Sequence, residues 1–261
     1  MKKDGMIEEI RRYPSPNEQV RLDEIIYWSN GLRIKGLLAR PKQEGQYEAL
    51  LYLRGGLQFI GMVRPARIAQ FAAQGFVVFA PYYRGNRGGE GKDEFAGDDR
   101  YDAVYAVDVL KQFAEVNRVH LFGFSRGGIM ALWTAILRDD ISSIVTWAGA
   151  ADVTATYWER IDMRRGLKRI IGGTPNKVPE RYKERTPLHQ IASIQAPVLI
   201  IHGTEDAHVR IEHAYKLQQA LQKVNKAVET WYAHGMQHHY PPQLNRQTVR
   251  QLCMWMQKQS L

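Results

Sequence analysis

The hexapeptide Gly123-Phe124-Ser125-Arg126-Gly127-Gly128 sets a serine between glycines two positions away on either side. Before it, RVHLFGF (118–124) is an apolar run of strand length; after it, GGIMALWTAIL (127–137) has helical composition and length. A serine in a sharp strand-to-helix turn projects its hydroxyl above the strand end. Small neighbours let the two backbones pass closely, and the N–H of the next residue, Arg126, points at a developing oxyanion from a helix N-terminus. The chemistry that suits this arrangement is nucleophilic attack on a carbonyl. A serine hydroxyl is a poor nucleophile near neutral pH, so it needs a base within hydrogen-bond reach, and the base needs an orienting carboxylate. The G-x-S-x-G pattern alone is weak; the strand before it and the helix after it give it weight.

On such a turn the acid and then the histidine follow the serine in chain order, each beyond a later strand. PVLIIHGTEDAHV (197–209) presents Glu205 and Asp206 just past a strand end. Asp206 is the preferred acid and Glu205 is read as a solvated loop residue. His202 and His208 flank this loop, and His202 is expected to make a structural hydrogen bond in the turn before Gly203. The base must then follow AVETWYA (227–233), in YAHGMQHHYPP (232–242), where His234, His238 and His239 all qualify. These three could also supply nitrogen ligands, but neither an HExxH pattern nor a cysteine pair accompanies them, so no metal and no cofactor is expected. A second oxyanion donor is needed as well. LYLRGGL (51–57) ends an early strand with two glycines, so the N–H groups of Gly55 and Gly56 are candidates. Arg54 is open between a guanidinium donor to the same oxygen and a structural ion pair.

The elements that must hold these groups alternate along the chain. EIIYWSNGLRIKGLLARP places Asn30-Gly31 between two β-rich runs, a strong hairpin signal. EALLYL (48–53), FVVFA (76–80), RVHLFGF, SSIVTWAG (142–149), PVLIIHG (197–203) and AVETWYA read as strands. Residues 66–74, 98–113, 127–137, 211–224 and 246–258 read as helices. Apolar strands alternating with helices predict an α/β fold with a mostly parallel central sheet covered by helices on both faces. Residues 152–190 are too long for a plain connection, and they predict a crossover helix with an inserted helical cap. Trp158, Arg160, Arg164, Arg165, Lys168 and Arg169 in this insertion would favour a carboxylate-bearing substrate, or else form a solvated helix face. Residues 1–19, polar and punctuated by proline, are expected to be an N-terminal arm on a single domain covering 1–261.

The net charge is +9, yet no dense basic block or aromatic-interleaved basic ribbon is present, so a nucleic-acid partner is not expected. Cys253 is the single cysteine, which rules out an intramolecular disulfide, and its setting in LCMWM suits a packed helix. The N-terminus lacks an apolar signal core and no apolar run reaches the length of a membrane span. A cytoplasmic protein without a membrane partner is therefore expected.

Taken together, these motifs resemble the catalytic α/β-hydrolase domain of the prolyl oligopeptidase family of serine peptidases, from about residue 20 to the C-terminus. NGLRIKGLLARP resembles the family's opening hairpin, RGGL its HGGP-type oxyanion loop, and PYYRGNRGGEGKDEFAGDD its RGSxGxG loop with an acidic continuation. GFSRGG matches the elbow, and RTPLHQIASIQAPVLIIHGTEDAHV matches the block that carries the acid. The resemblance implies Ser125 as nucleophile and Asp206 as orienting acid. By the alignment of Gly235-Met236-Gln237-His238 with the family's histidine loop, it implies His238 as base. It also implies oxyanion donors at the Arg126 N–H and in the Arg54-Gly55-Gly56 loop. Arg54 stands where family members carry histidine or tyrosine, and the β-propeller of the large members has no counterpart here. The expected activity is hydrolysis of a peptide, amide or acyl bond in a small-molecule or short-peptide substrate. A carboxylesterase is the nearest alternative, and a non-enzymatic binding module on the same fold is a further one.

Overall fold

The computed structural model describes residues 3–58, 60–113 and 116–259. Strands β2 (Val20–Ser29) and β3 (Leu32–Pro41) form an antiparallel hairpin in which Ser29 faces Leu32. Its two-residue turn has φ of 49° at Asn30 and 73° at Gly31, the left-handed pair that matches strand twist and that Asn-Gly adopts readily. The expected N-terminal arm contains a strand, β1 (Ile7–Tyr13), paired antiparallel with β2 at the sheet edge.

From here the chain winds a parallel sheet. Its strands are β4 (Tyr47–Leu53), β5 (Phe76–Pro81), β6 (Val116–Phe124), β7 (Ser143–Trp147), β8 (Val198–Gly203) and β9 (Val228–Ala233). Among the described residues, nine strands lie in the order β1-β2-β3-β5-β4-β6-β7-β8-β9. β3 runs antiparallel to β5, and the strands from β5 to β9 run parallel.

Alternation along each strand divides the core into two layers. Leu50 and Phe122 face α1 (Pro65–Ala72) and α8 (Pro242–Lys258), with Phe71, Leu252 and Met256 in the same cluster. Leu51 and Leu121 face the opposite layer, which holds α2 (Arg100–Lys111), α3 (Gly127–Ile136) and α7 (Glu212–Lys223). Each fully buried leucine or phenylalanine contributes about 1.5–3 kcal/mol, so both faces are well secured. α8 begins four residues before its predicted start. Pro242 at its first turn lacks an N–H that would have been unpaired there anyway, and the apolar periodicity shows only further along.

Residues 153–193 carry α4 (Val153–Glu159), a 3₁₀ turn (Ile161–Met163), α5 (Arg164–Ile171), α6 (Pro179–Lys183) and a 3₁₀ segment (Pro187–Ser193). Leu167, Ile171 and Tyr182 join the core, so this insertion is packed down and not an appendage. Among the described residues no helix is long and apolar enough to cross a membrane. Strand order reverses at β4, whose neighbours are β5 and β6. The crevice at the carboxyl ends of β4 and β6 is therefore the topological switch point, where ligands bind in open α/β sheets.

Candidate active site

Both loops at that switch point carry predicted site residues. Ser125 follows β6 directly, with φ 57° in a region that L-residues rarely adopt. Such a conformation costs on the order of 1–3 kcal/mol and persists only where the surroundings impose it. Here the Ser125 N–H donates to the Trp147 carbonyl at 3.1 Å, and the Ser125 carbonyl accepts from Gly128 at 2.9 Å and Ala150 at 3.0 Å. The flanking glycines answer a close approach of backbone to backbone. A Cβ on Gly123 would lie 2.3 Å from the Gly127 carbonyl oxygen, and one on Gly127 would lie 1.9 Å from that of Leu53. Ser125 itself stays partly exposed and borders a cavity of about 710 Å³ together with Gly55, Gly56, Arg126 and His238.

The acid and the histidine are brought together by the ends of β8 and β9, which are paired neighbours. The two following loops are zipped by Thr204 N–H to Ala233 O at 3.0 Å, Glu205 N–H to Met236 O at 3.0 Å, and Gly235 N–H to Thr204 Oγ1 at 3.0 Å. Only a glycine at 203 permits this, since a Cβ there would sit 2.2 Å from the Met236 carbonyl oxygen. Asp206 is buried. Its Oδ1 accepts the backbone N–H groups of His208 (2.8 Å) and Val209 (3.0 Å), and its Oδ2 accepts from His238 Nδ1 at 2.7 Å. Burial works to raise this carboxyl's pKa, but the bonds from His238, Val209 and His208 outweigh it and hold it below the ordinary value.

His238 is buried, with its ring against Phe124 at 4.9 Å and stacked on His208 at 5.0 Å. Phe124 immediately precedes Ser125, so the loop after β9 reaches back across the sheet ends to the elbow. The other two histidines of the cluster lie apart from Asp206. His234 is exposed, and His239 is exposed, stacks on Phe124 at 5.3 Å and meets the His238 ring edge-on at 5.0 Å. Glu205 points to solvent, while His202 donates from Nε2 to Val209 O at 2.8 Å, and burial keeps its imidazole below the ordinary pKa. Among the described residues no group of three or more His, Cys, Asp or Glu could hold a metal ion.

The loop after β4 lies over the serine: a Cβ on Gly55 would come within 2.7 Å of Ser125 Cβ, and Gly56 has φ 75°. Arg54 does not present a guanidinium to that space as a free donor. Its side chain is buried and bonded to carbonyls, with Nη2 to Tyr82 O at 2.9 Å, Nη1 to Gly55 O at 3.0 Å and to Ile60 O at 3.3 Å, and Nη2 to Gln58 O at 3.3 Å. The role considered from sequence, a side-chain oxyanion donor, thus gives way to a clamp on the carbonyls of Gly55, Gln58 and Ile60. Physically, a buried guanidinium must satisfy its five donors, and the loop's own carbonyls are the acceptors within reach.

The Arg126 side chain is committed too. It is buried, donates to Gly56 O at 3.1 Å, and pairs with Asp93 at 2.8 Å and with Asp99. Asp93 also accepts the Gln58 N–H at 3.1 Å. The segment 85–99 therefore ties the elbow to the glycine loop, a link that sequence motifs alone did not reveal. The two carboxyls diverge: burial pushes Asp99 up to about 7 despite Arg126, whereas in Asp93 the burial effect is overcome by Arg126 and the carboxyl sits at about 2. With both arginine side chains occupied, the donors left at the cavity floor are backbone N–H groups. That of Arg126, the residue capping the N-terminus of α3, has no intrahelical acceptor.

Residues 62–260 match the Prolyl oligopeptidase family. The chain is 57% identical over 254 residues to the uncharacterized peptidase YtmA of Bacillus subtilis (strain 168), covering 96% of this chain and 99% of that one. The fold is similar to that of an acylaminoacyl peptidase in complex with a chloromethyl ketone (TM-score 0.78, 17% identity), with 92% of this chain covered but only 42% of that one. It is similar also to an acetyl xylan esterase from Paenibacillus sp. R4 (TM-score 0.77, 16% identity; 94% of this chain, 87% of that one).

Proposed function

The chain belongs to the prolyl oligopeptidase family and is a serine hydrolase, and from that membership we propose that Ser125, His238 and Asp206 carry out acyl transfer in two steps. His238 Nε2 takes the proton of Ser125 Oγ as the oxygen attacks the carbonyl. The oxyanion forms against the N–H of Arg126 and those of the Gly55-Gly56 loop. His238 then protonates the leaving group, the acyl-serine forms, and water repeats the sequence in reverse. Asp206 keeps the proton on Nδ1, so that Nε2 is free to accept, and it stabilises the imidazolium. Arg54, Asp93 and the Arg126 side chain act as positioning groups for the donor loop.

The observation that supports this most strongly is the 2.7 Å bond between Nδ1 of His238 and a carboxylate already fixed by two backbone N–H groups, beside a serine held at φ 57°. The substrate class favoured by family membership is a peptide, amide or acyl-amino compound of small size. Ester hydrolysis is the second reading, motivated by a fold that spans 87% of an acetyl xylan esterase chain. The proposed setting is cytoplasmic, with neither nucleic acid nor membrane as partner, in keeping with the single buried cysteine. The test is labelling by a fluorophosphonate probe: wild type should label and Ser125→Ala should not, while robust labelling of the variant would refute the assignment. Parallel assays on peptide anilides and short-chain p-nitrophenyl esters then separate amidase from esterase.

A further inference from the structure

A side pocket of about 530 Å³ opens off the main cavity. Arg64, Arg67, His238 and His239 border both spaces, whereas Ser125, Gly55, Gly56 and Arg126 border the main cavity only. The side pocket therefore lies on the histidine side of the scissile bond. In acyl transfer the group on the serine side stays as the acyl-enzyme, and the group that His238 protonates departs. On the acyl-transfer reading above, the side pocket is where the leaving group rests.

Its electrostatics are one-sided. No carboxylate among the described residues lines it. Arg64 is exposed at the start of α1, and its guanidinium has no hydrogen-bond or ion-pair partner among the described residues. Arg67 donates to two neutral acceptors, Gln70 Oε1 at 2.9 Å and Asn245 Oδ1 at 2.7 Å, and lies over the Trp147 ring at 5.3 Å. Its charge is thus fixed in place without being neutralised. Partial burial, and then the neighbouring His238 and Arg64, lower the pKa of His239. The cap cations picked out from sequence are differently disposed. Arg160 is paired with Asp162 at 2.6 Å, and Arg164 donates to the carbonyls of Tyr157 and Trp158. Arg165, Lys168 and Arg169 border neither space, so the uncompensated positive charge at the site lies in and just before α1 and not on the cap.

We infer that this side pocket is a leaving-group subsite for a free carboxylate, with Arg64 and Arg67 as its recognition residues. The bond cleaved is then the last one before a terminal carboxylate, as in an N-acyl amino acid or at the C-terminal end of a short peptide. When the C–N bond breaks, the amine nitrogen takes its proton from His238 and the amino acid leaves with its carboxylate against Arg64. Water then adds to the acyl-serine, the ester bond breaks, and Ser125 Oγ recovers its proton.

The test compares two substrates that differ in one group, an N-acyl dipeptide as free acid and as C-terminal amide. Wild type should favour the acid in kcat/KM by about tenfold or more, the size of a charge-assisted hydrogen bond. Arg64→Gln should erase most of that preference and Arg64→Lys should keep part of it. A wild type that treats both alike, or an Arg64→Gln variant that keeps the full preference, overturns the inference. Binding of the same peptides to the Ser125→Ala protein, measured by calorimetry, reads the subsite without turnover. The acid should bind tighter and lose that advantage with Arg64→Gln; equal binding would overturn the subsite. Fluorophosphonate labelling of wild type scores the serine assignment separately, so failure of the one is distinguishable from failure of the other.

Discussion

Asp206→Asn should leave the protein folded and nearly inactive, and the hydrogen bonds around Asp206 give the reason. Asp206 Oδ1 accepts two backbone N–H groups and Oδ2 accepts Nδ1–H of His238. An asparagine must put its oxygen on one side and its NH2 on the other. Turning the NH2 towards His208 and Val209 would set donors against donors and lose two bonds, so the oxygen stays with the loop and the NH2 faces His238. Nδ1 must then accept, the ring proton moves to Nε2, and Nε2 can no longer take the proton of Ser125. Restoring the productive tautomer breaks the amide–Nδ1 bond and leaves two buried N–H donors facing each other, and the imidazolium of the transition state loses its carboxylate. At about 2–3 kcal/mol each, these give roughly 4–6 kcal/mol, or about 10³–10⁴ in kcat. Stability should fall by only about 1 kcal/mol because both loop bonds survive. Steady-state kinetics on whichever substrate the panel identifies, with thermal melts alongside, measure both quantities, and the ¹⁵N shifts of the ring report the tautomer. An Asp206→Asn enzyme within tenfold of wild type, or one with Nδ1 still protonated, would refute the reasoning.

Two further outcomes follow from packing and from burial. Gly127→Ala drives a Cβ to 1.9 Å from the Leu53 carbonyl oxygen, and main-chain atoms cannot yield as a side chain would. A loss of about 2–3 kcal/mol and a Tm drop of roughly 6 °C or more are expected, with activity falling further because β4 and the elbow separate; a wild-type melt and rate would contradict this. Asp99, raised to about 7 chiefly by burial, keeps its proton in the folded state over a window from pH ~4, where the unfolded chain loses it, to pH ~7. Stability from this group is present at low pH and lost as pH rises through that window. The Tm of wild type minus that of Asp99→Asn should therefore decline from pH 4 to 7 and level off above it. A difference that grows with pH would mean that Arg126 holds Asp99 ionised.

Much of the scaffold was legible because its signals are local. Asn30-Gly31 encodes its turn through two residues that tolerate positive φ, and β5 and β8 announce burial on both faces by unbroken apolar runs. α8 was placed late because a proline-capped first turn carries no apolar periodicity. The edge strand β1 was read as an arm, since its exposed, charged residues IEEIRRY become a strand only through the backbone pairing that β2 offers.

At the site, the sequence by itself determined which residue types stand at strand ends and in what order: Ser125 at an elbow, a carboxylate after β8, a histidine after β9. The family resemblance pointed to Asp206 and His238, but only the tertiary structure brings them into contact. Selecting Asp206 over Glu205, and His238 over His234 and His239, as a bonded pair depends on the β8–β9 pairing and on the loop approach that Gly203 permits. Likewise, nothing local distinguishes an arginine that clamps a loop from one that meets a substrate. Arg54 and Arg126 became positioning groups because burial drives their guanidinium donors onto nearby carbonyls and carboxylates, while Arg64 kept its charge free because it pairs with no carboxylate among the described residues. Chain order is written in the sequence, whereas charge compensation is a property of neighbours that only folding brings together.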